Sequence, residues 1–149
     1  MANNSCLVIV SLIGVLLFTN NVASSTDVVS TICPKTSNPP FCSSVLKSAG
    51  TTDLKGLAVY TLNFAHTNAR KSLTLASSLA KTTLNPQLKQ RYSSCAESYD
   101  EAIGDIENAQ KDLVLGDFNG VNIVTSGAMT GIDDCQDKLA QPQRIRRCF

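Results

Sequence analysis

Apolar residues recur at alternating spacings of four and three along three long stretches of this chain. In the clearest of them, Leu88, Tyr92, Cys95, Tyr99, Ala102, Ile106, Ala109 and Leu113 form one seam, the pattern of a helix with a single buried face. The ends of this stretch are marked as well. Asn85 suits the cap, Pro86 suits the first helical position because its missing N–H has no partner to lose there, and Gly116 suits the left-handed residue past the last turn. A helix is therefore predicted over residues 85–116, with Glu97, Asp100, Glu101, Lys111 and Asp112 left for solvent or a partner.

Upstream, Leu54, Ala58, Leu62, Ala65, Ala69, Leu73, Ala76 and Leu79 repeat at helical spacing. They predict a helix from Asp53 to about Lys81, roughly 28 residues and near 40 Å at the standard rise. The link to the next helix, Thr83 to Asn85, is so short that the two must run antiparallel. Downstream, Asp117 is placed to cap a third helix whose buried face is Val121, Val124, Ala128, Ile132, Cys135 and Leu139. Ser126, Gly127, Ala128 and Gly131 allow that helix a close neighbour. Gly104, inside the second helix, costs about 1 kcal/mol against alanine.

Ahead of the long helices, residues 27–32 and 41–49 carry short helical patterns, the second with Cys42, Val45, Leu46 and Ala49. The chain thus divides into a helical hairpin over 26–50, bundle helices over 51–140 and an irregular basic tail over 141–149. The fold class is all-α. Three long helices leave one side of a bundle open, so the body either has three helices or lacks a fourth.

The N-terminus changes the compartment. Residues 7–18, LVIVSLIGVLLF, are an apolar run too short to span a bilayer comfortably, followed by Ala23, Ser24 and Ser25. This is the pattern of a secretory signal peptide over residues 1–25, although its first residues carry no Lys or Arg. The sequon Asn3-Asn4-Ser5 falls inside it, so no N-glycan is expected on the mature protein.

Secretion gives the cysteines a meaning. Cys6 departs with the signal, leaving Cys33, Cys42, Cys95, Cys135 and Cys148 in an oxidising compartment. Cys33 and Cys42 flank Pro34, Asn38, Pro39 and Pro40, a turn-forming stretch that folds two short helices back on each other. Cys95 and Cys135 lie on the apolar seams of two long helices. The expected bridges are therefore Cys33–Cys42 and Cys95–Cys135, with Cys148 left over.

Composition removes several classes of function. Thirteen Lys and Arg stand against twelve Asp and Glu, a formal charge of +1, and Arg144, Arg146 and Arg147 lie in the last nine residues. The body is mildly acidic, which argues against nucleic acid or an anionic membrane as the main partner. His66 is the only histidine, with no Cys or Ser spaced to form a nucleophile pair with it, so it reads as a packing or surface residue. No Cys or His spacing suits zinc, no glycine-rich loop follows a strand, and no Glu-x-x-His pair suits di-iron. No cofactor, metal or catalytic residue is expected, and the chain reads as a binding protein. Glu97, Asp100, Glu101 and Asp105 cluster on one helix, as a solvated acidic face or a patch for a partner.

With the cysteines placed, the chain resembles the plant invertase and pectin methylesterase inhibitor family. The matching pieces are Ile32-Cys33 with Cys42 nine positions on, Asp53-Leu54-Lys55-Gly56-Leu57, and Asn85-Pro86 with Leu88-Lys89 and Arg91-Tyr92. Further on come Cys95 with Tyr99 and Ala102-Ile103, then Gly116-Asp117, and Ser126-Gly127-Ala128-Met129-Thr130 leading to Cys135 and Asp137. The resemblance spans about residues 27–140. It implies a helical hairpin, held by the first disulfide, on an up-down-up-down four-helix bundle that carries the second. It also implies a secreted, apoplastic inhibitor that binds its target enzyme one to one and covers the active-site cleft.

Invertase inhibitors of the family tend to carry Gly-Asp-Pro-Lys-Phe where this chain has Gly116-Asp117-Phe118-Asn119-Gly120, which points to the pectin methylesterase branch. An acid invertase inhibitor and a non-inhibitory helical protein are the alternatives. Family members usually have Thr, at a position associated with the target interface, where this chain has Asp134. The candidate contact residues are Glu97, Asp100 and Glu101, with Asp134 adjoining. The family also continues some thirty residues into a last bundle helix that this chain lacks, so lower stability or dimerisation over the open seam is expected.

Overall fold

A computed structural model describes residues 25–140, with side chains described from Val28 onward. Apart from Ser25, the expected signal peptide lies outside the described residues, as do the basic tail and Cys148. The elements are helix α1 (Ser25–Ile32), a 3-10 turn (Cys33–Lys35), α2 (Pro39–Ser48), α3 (Leu54–Thr82), α4 (Pro86–Leu115) and α5 (Phe118–Ala140).

Each boundary has a local cause. Asn38 Oδ1 accepts from the Phe41 N–H at 3.2 Å, ahead of two prolines that open α2. The Asp53 carboxylate accepts from the Gly56 N–H at 2.8 Å and starts α3. Asn85 Oδ1 takes two free donors of α4, the Gln87 N–H at 2.9 Å and the Leu88 N–H at 3.1 Å. At the other end of α4, Gly116 adopts φ 77°. Its N–H donates to the Leu113 carbonyl while that of Asp117 reaches back to Asp112, the paired arrangement that satisfies last-turn carbonyls. Asp117 then caps α5, accepting from the Gly120 N–H at 2.9 Å.

α4 is the middle element, with α3 packed on one flank and α5 on the other. The core between them is lined by small residues on α3, among them Ala58, Ala65 and Ala69, facing Ile106 and Leu113 of α4 and Val121 and Ile132 of α5. Alanine on α3 lets the helices approach closely, and the larger branched residues fill the space opposite. The hairpin has a smaller core of its own, Val28, Ile32, Cys33, Cys42 and Leu46, closed by Leu57 from the first turn of α3. Phe41 packs against both cores, with its ring centroid 6.4 Å from that of Phe64.

The bridges join the expected partners, Cys33 to Cys42 and Cys95 to Cys135, with Cα separations of 5.5 Å and 4.8 Å. The apolar seam of α4 lies inward as its spacing predicted, although Leu88 and Tyr92 at its start are only half-buried. The seam of α3 needs correction. Leu54, Leu73 and Leu79 are half-buried, while Leu57, Thr61 and Ala80 are buried. The first turns of α3 serve the hairpin as well as the bundle, which widens the buried sector there. Two hydroxyls lie in the core without penalty: Thr61 Oγ1 donates to its own helix backbone at 3.0 Å and Thr125 Oγ1 to the Val121 carbonyl at 2.7 Å.

Candidate functional site

The register of α4 against α5 is fixed by contacts along their length. A Cβ placed on Gly120 would lie 2.8 Å from Asp112 Oδ2, one on Gly127 2.9 Å from Asp105 Oδ2, and one on Gly131 3.5 Å from the Ser98 carbonyl oxygen. Beyond these, Cys135 is bonded to Cys95, and Lys138 Nζ donates to Ser94 Oγ at 3.0 Å. The glycines thus occupy the stripe of α5 that meets α4: a Cβ at Gly120 or Gly127 would make the facing carboxylates shift, while one at Gly131 would come only into ordinary contact. On the other flank of α4, the Gln110 amide donates to Asn63 Oδ1 at 2.9 Å and Glu107 meets His66 Nε2 at 3.1 Å. His66 is thereby a half-buried tie between α3 and α4.

Glu97, Asp100, Glu101 and Asp134 are all exposed. At about 100° per residue, Glu97 and Glu101 share the outer face of α4, and Glu101 is turned toward α5. Asp134 continues the stripe of Gly127, Gly131 and Lys138, so it stands at the rim of the α4–α5 groove, on the same side as Glu97 and Glu101. Asp100 is turned the other way, toward α3. The four candidates therefore form a group of three and an outlier.

Asp105 belongs to this face too, and its position was not readable from spacing alone. It is half-buried in the groove against Gly127, and its carboxyl is held above the usual carboxylate value, first by burial and then by the neighbouring charge of Glu101. The signal was present in the pair of small residues Gly127 and Gly131, which announce a tight approach but not which side chain of α4 fills it. Among the described residues no three His, Cys, Asp or Glu side chains gather to hold a metal ion. What the site offers is recognition chemistry, negative charge on a rigid, cross-linked pair of helices.

The fold and this face define a disulfide-stapled helical-bundle protein with an acidic surface. Residues 27–147 match the plant invertase/pectin methylesterase inhibitor family, and the chain belongs to it. It is 35% identical over 145 residues to a pectinesterase inhibitor of Actinidia deliciosa, covering 91% of this chain and 78% of that one. It is 38% identical over 115 residues to pectinesterase inhibitor 2 of Arabidopsis thaliana, covering 75% and 66%. Among solved structures, a mutant form of a pectin methylesterase inhibitor from Arabidopsis superposes with a TM-score of 0.71 at 35% identity, covering 81% of this chain and 80% of that one. The relatives support the pectin methylesterase inhibitor branch over the invertase branch.

Proposed function

We propose that this protein is a secreted inhibitor of pectin methylesterase that acts in the plant cell wall, binding the enzyme one to one and covering its active-site cleft. The observation that carries the reading is the likeness, over most of the chain, to proteins that are themselves pectinesterase inhibitors. The α4–α5 face is the surface we assign to the contact. Glu97, Glu101 and Asp134 stand together there on helices that a disulfide holds in register, so little ordering is lost on binding. Asp100, on the opposite shoulder, is the weakest contact of the four. Inhibition needs no chemistry from the inhibitor, because excluding substrate from the cleft is sufficient.

The test is titration of a plant pectin methylesterase with the purified protein, following methanol released from methylated pectin, beside a matched sucrose assay with acid invertase. Loss of esterase activity that saturates at one equivalent, with invertase untouched, supports the reading. Loss of invertase activity alone moves the protein to the sister activity. A folded protein that affects neither enzyme is not an inhibitor of this class.

A further inference from the structure

The charges of this molecule are sorted by helix. Ten of its twelve Asp and Glu residues fall between Glu97 and Asp137, nine on α4 and α5 and Asp117 in the link between them. α3 is the reverse: its 29 residues hold Lys55, Arg70, Lys71 and Lys81 and not one Asp or Glu. All four are exposed, and their side-chain cations form no ion pair or hydrogen bond among the described residues. Helix geometry places Lys55, Arg70 and Lys81 within a sector of about 80°, along about 39 Å of axis, on the edge of α3 that also carries Asn63 and His66 and so borders α4; Lys71 lies about 100° further round from Arg70. Lys89 adds a further exposed cation just past the turn into α4. This row lies on the far flank of α4 from α5, away from the groove assigned to the enzyme.

We infer that this basic edge of α3 binds a linear polyanion, specifically the polyuronate chain exposed when pectin esters are hydrolysed, while the α4–α5 face remains available to the enzyme. This rests on the inhibitor reading for the choice of polymer. The spacing selects the ligand's shape. Arg70 and Lys81 stand about 16 Å apart along the axis, too far to converge on one small anion but suited to successive carboxylates of an extended chain. Two disulfides place the protein in an oxidising compartment, where a polymer turned anionic by ester hydrolysis is at hand. Unpaired, solvated cations bind such a chain weakly and with strong dependence on salt, by Coulomb attraction and counterion release. The outcome is a protein concentrated on de-esterified stretches, next to where the esterase has just acted.

The experiment needs no enzyme. The purified protein is passed over immobilised polygalacturonate and over highly methyl-esterified pectin at low and at high salt, beside the variant Arg70→Gln, Lys71→Gln, Lys81→Gln, with circular dichroism confirming its helical content. Binding to polygalacturonate at least tenfold tighter than to the esterified polymer, abolished by salt and weakened at least tenfold in the variant, is expected. Equal binding to both polymers, no binding, or full binding by the folded variant overturns the inference. Preference for phosphatidylserine vesicles over polygalacturonate overturns it in favour of a membrane surface. A parallel esterase titration separates the two readings: the triple variant should inhibit as the parent does, and a parent that binds the polymer without inhibiting would leave the α3 surface standing and remove the inhibitor.

Discussion

Two residues in the α4 interior test how local environment sets stability. Gly104 has nothing within 4 Å of where a Cβ would stand, so Gly104→Ala should collect the ordinary helical gain of about 0.5–1 kcal/mol, read from urea denaturation. Asp105 behaves differently because its neutral form is the one the groove favours. With its folded value raised above 3.8, the folded state holds more protons than the unfolded one just above that pH. Its contribution to stability is therefore complete below 3.8 and lost as the pH rises through the raised folded value. Asp105→Asn should remove this falling step and be the more stable protein at neutral pH, in melts taken across that window. Spacing alone gave both residues their helix, but it could not separate them. Whether a polar position on the edge of a seam faces water or a neighbour depends on the partner helix, and that information sits some twenty residues away at Gly127.

At the scale of elements the reading from sequence came close, since each long helix carries its own start and stop signals. Asp53, Asn85, Gly116 and Asp117 act locally, so their roles need no knowledge of the tertiary fold. The α3 seam was less legible because one helix serves two cores, and a single period cannot describe a stripe whose width changes along the axis. The disulfides test how elements are tied. Cys95 and Cys135 are 40 residues apart and Cys33 and Cys42 are 9. By loop-closure entropy, replacing both cysteines of the longer bridge by serine should cost about 4 kcal/mol, against about 2.5 kcal/mol for the shorter. Denaturation of the two double variants beside the parent checks that order. If the hairpin bridge proved the costlier, local strain or lost packing would outweigh chain entropy.

For the whole molecule, short links implied that α3, α4 and α5 run antiparallel in turn, and they do. That α4 lies between the other two was legible too, since the short link sets α3 beside it and the expected Cys95–Cys135 bridge sets α5 beside it; which flank each neighbour takes was not, because link length fixes direction alone. The acidic face gives the prediction at this scale. Glu97→Gln with Glu101→Gln should raise the inhibition constant for pectin methylesterase roughly tenfold at low salt, mainly through slower association, and leave residual inhibition less sensitive to salt. Stopped-flow association with and without added salt measures both; an unchanged rate removes these glutamates from the contact. Phe41, finally, packs against both apolar cores, and this makes it, with Leu57, a point at which two structural units become one thermodynamic unit. Amide protons of α2 should exchange only as slowly as those of α3 while that ring is present. Phe41→Ala should divide a single melting transition into two, the hairpin opening first while the bundle stays protected.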